Sequence, residues 1–487
     1  MAKFNTKKCN NVKVASYEGG VVFRKSLEDE WANMLFSSVM QNQYYESAEE
    51  QQARFITLTS QMISKHGPEL IGKCAVFARN ELGMRSISEL VAALLNEYKW
   101  DGKRKFYANY FRRPDGVGEV FAAIDALDGK RSHALIRGCS DYLSSLSAYT
   151  LAKYPLRYRK YTMRDIINLT HPKSEVIDLF QRGELPAPDT WEVKVKSAKS
   201  LEQKESAWRD LVEGQKLGYL ALLRNLSAIC KCSFADRLWV NKYLVPQITN
   251  LPAIKNSLVW PFQIYTSWKF LHKQGISLSI EDALATAFEY STQNMPKLSG
   301  ETLIVLDVSA SMDSPFSSNS LLSILEVCAA YASAFLNSSF QDSVDFIKFG
   351  SNAKQFERSK FKCNNVFKQI DKLAANDSCG YSTDISTVFD ILDKHYDRII
   401  LFSDMQVMGN RVSWNCTKPA YKLFKQYCND FGPSHIYSFD LGNYSSQIVS
   451  GSSNISYITA LNDTVFKIIE MQESGRSLLD IVRDYEV

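Results

Sequence analysis

Apolar residues follow two different rhythms along this chain. Up to about residue 295 they recur at helical spacing. The run Ser88-Glu89-Leu90-Val91-Ala92-Ala93-Leu94-Leu95 carries the packed stripe of a core helix. Comparable stretches predict helices over Val120–Leu127, Ala134–Leu151, Leu217–Ile229, Pro261–Leu271 and Glu281–Tyr290. Proline and glycine punctuate them at Gly67-Pro68, Pro114-Asp115-Gly116, Pro155, Pro172, Pro186 to Pro188, Pro246 and Pro252. Many medium helices with short connectors, no heptad and no sharp repeat predict an array of degenerate helix pairs.

The rhythm changes after Asn294-Met295-Pro296-Lys297-Leu298-Ser299-Gly300. Short continuous apolar runs now alternate with helical segments. Thr302-Leu303-Ile304-Val305-Leu306 reads as a buried strand, followed by a helix over Leu321–Leu336 and a strand over Ser343–Phe349. A mixed loop and helix region leads to a strand over Arg398–Phe402, a helix over Lys418–Cys428, strands over His435–Phe439 and Ile455–Ile458, and a last helix from Asp463. Such alternation predicts a parallel sheet covered by helices on both faces. In sheets of that kind, ligands sit past the carboxyl ends of the strands. The fold class expected is therefore α plus α/β, with a helical domain over 1–298 and a sheet domain over 299–487.

Length and composition refine this only a little. At 487 residues the chain exceeds one hydrophobic core. Its opening residues lack the apolar stretch of a secretory signal, and no run of about 18 apolar residues exists to span a bilayer, so a cytoplasmic protein that meets no membrane is expected. The ten cysteines form no CxxC pair; the nearest two, Cys230 and Cys232, are expected to be reduced structural thiols rather than a redox or metal pair. Charge is more informative. Residues 1–300 hold 41 Lys and Arg against 31 Asp and Glu, whereas 301–487 hold 16 against 22. A basic part joined to an acidic part suggests that a polyanion meets the first of them.

Candidate chemistry gathers at two places. The first strand of the sheet ends in Asp307-Val308-Ser309-Ala310-Ser311, which offers a carboxylate and two hydroxyls on alternate residues. Downstream, the Gly380-led loop supplies Thr383, and the strand Arg398–Phe402 runs into Ser403-Asp404. All three loops fall on one edge of a parallel sheet. Oxygen-only ligands with few charges suit a hard octahedral cation such as Mg²⁺, held by Asp307, Ser309, Ser311, Thr383 and Asp404. Such a site leaves a coordination position open for an acidic group of a partner. A phosphoryl-transferring role for Asp307 is not expected, because no strand-end lysine accompanies it.

The second place is the segment Lys153 to Lys173. It carries Lys153, Arg157, Arg159, Lys160, Arg164 and Lys173 against a single acid, Asp165, with Tyr154, Tyr158 and Tyr161 interleaved and His171 near its end. Cationic groups neutralise phosphates, and ring or guanidinium faces stack on unpaired bases. The cluster Lys103-Arg104-Lys105-Phe106-Tyr107 through Arg112-Arg113 has the same composition. The alternative for both is a solvated helix face whose tyrosines lie in the core.

Taken together, these motifs resemble the Ro ribonucleoprotein family, whose helical module is called TROVE (telomerase, Ro, vault). The resemblance rests on Lys153-Tyr154-x-x-Arg157, the run from Asp165 to His171-Pro172-Lys173, Pro188-Asp189-Thr190-Trp191-Glu192-Val193, Ala221-Leu222-Leu223-Arg224-Asn225-Leu226, Pro261-Phe262-x-Ile264 and Asp307-Val308-Ser309-Ala310-Ser311-Met312. It covers the chain from about residue 20 to its end. It implies a monomeric ring of HEAT-like helical repeats closed by a von Willebrand A-type domain with a metal-ion-dependent adhesion site. It also implies a non-enzymatic role in RNA quality control. Small non-coding Y or Y-like RNA would bind outside the ring, and single-stranded 3′ ends of misfolded RNAs would enter its hole. An exoribonuclease tethered through such an RNA is a further implied partner.

Carried over by motif, Lys153, Arg157 and His171 resemble the RNA-contacting positions. Arg159 stands as an alternative to Arg157, and Arg137 is a further candidate. Two departures are visible. Tyr381 and Ser382 separate Gly380 from Thr383, where the family usually has a Gly-Gly pair before Thr-Asp. Ser132 and His133 stand where relatives often have Gly and Arg. The rival reading is a metal-dependent protein-interaction module carried on a helical scaffold with no RNA ligand. A nuclease is the weaker third, since no acids cluster with a base.

Overall fold

A computed structural model of the chain describes residues 13–15, 21–24, 26–37, 47–154, 160–186, 190–295, 298, 300–316, 320–338, 344–361, 363–404, 420–440, 446–447, 455–458, 469–470, 473 and 482–485. The chain divides into two compact units. One comprises residues 31–40, 49–197 and 471–487; the other comprises 1–30, 41–48 and 198–470.

The first unit is helical. Pro68 opens the helix Pro68–Asn80 directly after Gly67, whose φ of 83° suits a residue without a side chain. The helix Arg85–Leu95 buries every residue from Ile87 to Leu95; the apolar run Leu90–Leu95 accounts for most of this, and Glu89 is buried against Arg79 at 2.9 Å. It is followed by Lys103–Tyr110, Asp115–Ala126, His133–Ser144, Ala148–Lys153, Met163–Thr170 and Glu175–Arg182. The single helix expected over Ala134–Leu151 is in fact two. Ser147 caps the second by accepting from the Thr150 N–H, and a serine cap outweighs the apolar continuity that suggested one helix. Met163–Thr170 starts on a capping box in which Thr162 and Asp165 exchange side-chain and backbone hydrogen bonds.

The second unit joins further helices to a sheet. Leu201–Glu213, Tyr219–Cys230, Pro261–His272 and Leu278–Ser291 precede it, and the change from helices to alternating strands falls between Asn294 and Thr302. In chain order the strands are β1 (Lys13–Ala15), β2 (Val21–Arg24), β3 (Thr302–Asp307), β4 (Val344–Phe349), β5 (Ala353–Phe356), β6 (Arg398–Ser403), β7 (His435–Asp440), β8 (Ser446–Gln447) and β9 (Ile455–Ile458). β1, β2 and β8 form a small antiparallel sheet.

The main sheet has the order β5-β4-β3-β6-β7-β9 and is parallel except for β5, which runs antiparallel to β4. β3 is buried along its whole length, as expected of a central parallel strand. The edge strand β5, Ala-Lys-Gln-Phe, was not expected, because it lacks the apolar content of its neighbours. The helix Ile324–Asn337 begins three residues later than expected, where Ser323 and Glu326 form a capping box. The expected helix from Asp463 lies largely outside the described residues. Among the described residues, no helix is long and apolar enough to cross a membrane.

Candidate nucleic-acid face and candidate metal centre

The basic segment is only partly free to meet a ligand. Lys153, the last residue of Ala148–Lys153, is exposed, with its ammonium 5.7 Å from the centre of the Tyr149 ring. His171 follows Met163–Thr170 in the left-handed region (φ 52°) and is exposed. Two serines of the helix His133–Ser144 fasten this corner: Ser140 Oγ donates to the His171 carbonyl at 3.3 Å, and the Lys173 N–H donates to Ser144 Oγ at 2.9 Å.

Arg137 is exposed on the same helix, three residues before Ser140 and seven before Ser144. That spacing places it on the face that carries the 171–173 corner. Arg137 and His171 are thus brought to one surface by direct packing. Arg157 and Arg159 lie outside the described residues.

Close packing positions Arg137 as well. Its neighbour Gly138 faces the helix Lys103–Tyr110 so tightly that a Cβ there would stand 2.6 Å from both the Arg104 carbonyl oxygen and Tyr107 Cβ. No larger residue allows the two helices to come this near.

Much of the remaining positive charge is spent inside the fold. The Arg113 guanidinium lies 4.4 Å from the Tyr154 ring centre, and Tyr161 donates to Asp125, which also pairs with Arg131 and Lys160. Both described tyrosines of the segment therefore serve intramolecular contacts rather than offering free stacking faces. The second cluster is structural too. Lys103 is buried and donates to the carbonyls of Asn96 (2.5 Å) and Tyr98 (2.9 Å), and Arg104 binds Asp141 through two hydrogen bonds. Phe106 and Tyr107 are in the core. Burial pushes the Cys230 thiol up to about 11, which keeps it protonated and suits a structural thiol.

The second candidate site is assembled by the sheet. In register, Asp307 at the end of β3 pairs with Phe349 of β4, and Leu306 pairs with Phe402 of β6. Ser403 and Asp404 therefore emerge beside Asp307. Ser403 Oγ donates to Asp307 Oδ2 at 2.6 Å, and the Ser309 N–H donates to Oδ1 at 2.9 Å. The Ser309 and Ser311 hydroxyls stand 3.4 Å apart.

The loop bearing Thr383 is tied to the same place. The Ala310 N–H donates to the Tyr381 carbonyl at 3.0 Å, while Asn376 Nδ2 bridges the carbonyls of Val308 and Gly380, each at 2.9 Å. The inserted Ser382 is stapled to Ser351, hydroxyl to hydroxyl at 2.6 Å, and Tyr381 turns outward with 71% of its surface exposed. Ser382 is thus tied to the Ser351 loop, and Tyr381 to the loop that carries Ser309 and Ser311. Ser403, Asn376 and Ser351 were missed from sequence. Only Ser403, directly before Asp404, gave a local signal.

Asp307, Ser309, Thr383 and Asp404 are all buried. Burial and, after it, the nearby Asp404 carboxylate together raise the Asp307 carboxyl to about 7, against the lowering effect of the hydrogen bonds from Ser403 and Ser309. Two carboxylates held together away from water, flanked by hydroxyl oxygens, are a donor set that fits a divalent cation. The residues present therefore suit Mg²⁺, with Asp307, Ser309, Ser311, Thr383 and Asp404 as the groups that would hold it, directly or through water.

Comparison with known proteins adds two findings. Residues 175–277 match the family model of the TROVE domain. The structure of the Ro (RSR) protein of Deinococcus radiodurans superposes with a TM-score of 0.66, at 15% identity, over 92% of this chain and 100% of that one. No curated protein matches the chain by sequence.

Proposed function

We propose, from the TROVE-domain match over residues 175–277 and the fold shared with a Ro protein, that this chain is a non-enzymatic RNA-binding protein, the protein part of a ribonucleoprotein. Its partners on this reading are a small non-coding, Y-like RNA and the single-stranded 3′ ends of misfolded RNAs, and its role is RNA quality control. An exoribonuclease would reach it only through the RNA.

The observation that carries the reading is the corner where Arg137 and His171 share one face, with Lys153 exposed at the end of the helix Ala148–Lys153. None of the three has a carboxylate partner among the described residues. Cations held ready on a fixed surface are what phosphate neutralisation requires. In an electrophoretic shift titration against salt, the variant Lys153→Gln, Arg137→Gln, His171→Gln should bind small structured RNA more weakly. Its log–log salt slope should be shallower by about two to three, roughly one for each phosphate contact removed. An unchanged slope refutes the assignment.

The cation site supports a second, compatible activity. The buried pair Asp307 and Asp404, with Ser309, Ser311 and Thr383, would hold Mg²⁺ and present its open coordination position to a carboxylate of a protein partner. The cation supplies electrostatic attraction; Ser403 and the Ser309 N–H orient Asp307 toward it.

A further inference from the structure

The second unit contains a cavity of about 420 Å³ that neither candidate site uses. Its walls are the end of the helix Tyr219–Cys230, the short helix Arg237–Trp239 running into a π-helical turn over Val240–Leu244, the end of Pro261–His272 and the start of Leu278–Ser291. The π turn has a local cause. Pro246 lacks the N–H that would reach back to the Lys242 carbonyl, and the Val245 N–H bonds to Val240 instead.

The lining is chemically lopsided. It includes two cations, Lys231 and Arg237, and no carboxylate. Both cations are exposed, and neither pairs with an acid among the described residues. Against them lies an apolar floor of Val240, Leu271 and Ile280, all buried, while Leu278 is 76% exposed at the rim. Ser277 makes no side-chain cap to the 14-residue helix Leu278–Ser291, whose first residues line the same cavity as the cations. Ser227 donates to Gln274 Oε1 at 2.7 Å, which leaves the Gln274 amide NH₂ to donate elsewhere.

Two unpaired cations, the start of a helix, an apolar floor and a free amide donor around one cavity match a phosphate, a base and a base edge. The volume exceeds that of a bare anion and falls among those of small-molecule sites, roughly 300–1,000 Å³. We propose that this cavity holds one nucleotide of a single-stranded RNA. Lys231 and Arg237 take its phosphate, Val240, Leu271 and Ile280 support its base, and Gln274 donates to the base edge. The proposal rests on the RNA-binding reading but concerns residues that reading does not use.

The test uses the full chain with single-stranded RNA carrying one 4-thiouridine, and two variants. Lys231→Gln with Arg237→Gln removes the charge; Ile276→Trp fills the cavity without changing charge. Each should weaken binding about tenfold, as loss of one phosphate or base contact does. The charge variant alone should flatten the salt slope by about one. Photocrosslinks should map to residues 227–240 and 271–280 and disappear in the tryptophan variant. If the unaltered protein binds RNA and both variants bind it equally well, the cavity proposal falls and the RNA reading stands. If the unaltered protein binds no RNA, the RNA reading itself falls.

Discussion

Asp307 shows how much electrostatic tension one residue can store. Its carboxyl is fully buried, raised to about 7, and faces the Asp404 charge. A divalent cation would relieve that tension, so Mg²⁺ should raise the melting temperature of the protein. A cation at 100 times its dissociation constant adds about 2.7 kcal/mol. Asp307→Asn should abolish the Mg²⁺ effect in a thermal-shift titration. It should also leave the metal-free protein at least as stable as the unaltered one, because the repulsion is gone. A variant that still responds to Mg²⁺ disproves the site.

In His435 of β7 the same cause, burial, acts in the opposite direction and gives a pH dependence. Burial lowers its imidazole from 6.5 to about 4, and its Nε2 lies 2.8 Å from Ser456 Oγ of β9. Above pH 6.5 both folded and unfolded forms are neutral, and the group adds no pH dependence. As pH falls from 6.5 towards 4, only the unfolded chain gains the proton. Stability is then lost at up to about 1.4 kcal/mol per pH unit, roughly 2–3 kcal/mol in all. Denaturant unfolding at pH 7 and pH 4.5 should show a smaller difference in His435→Gln than in the unaltered protein.

Among elements, the helices Lys103–Tyr110 and His133–Ser144 set the candidate RNA face. Their approach depends on Gly138. Gly138→Ala should cost about 2–3 kcal/mol by overpacking against backbone. Because Arg137 is the adjacent residue, RNA affinity should fall with it, even though no charge has changed. Retention of both stability and affinity would show that the two helices have slack.

What the sequence reveals at this scale depends on how local the determining physics is. The parallel strands are legible, because β3 and β6 are short apolar runs ending in ligand-type residues. The meeting of Asp307 with Ser403 and Asp404 at one edge of the sheet is legible for the same reason. The split between Ser144 and Ala148 is hidden, because a serine cap competes with an unbroken apolar stripe. β5 is hidden because Ala353–Phe356 gains its strand character only by pairing with β4. The fate of the tyrosines is hidden as well: composition cannot say that Tyr154 faces Arg113 or that Tyr161 reaches Asp125. Lys348 is the extreme case. Its side chain is wholly buried in the sheet unit, and its ammonium donates to two carbonyls and Asp377.

At the scale of the whole molecule, the change in sequence style and the division into compact units fall in different places. The helices after residue 198 belong to the same compact unit as the sheet. Aromatic packing explains why. Trp268 of Pro261–His272 stacks on Phe367 of the helix Val366–Ala374 at 4.2 Å, and Phe262 stacks on Tyr331 at 5.7 Å. Lys269 and Glu326 add an ion pair at 2.5 Å. Trp268 is 4% exposed, so its truncation opens a large void at this junction. Trp268→Ala should cost about 3–5 kcal/mol. If the helices and the sheet unfold as one cooperative body, amide exchange should accelerate about 100-fold or more in both 261–291 and 366–374, following that loss. The helices over 68–126, in the other unit, should exchange at their original rates. Acceleration confined to 261–291 would mean that these helices open without the sheet, and the compact unit would not be a folding unit.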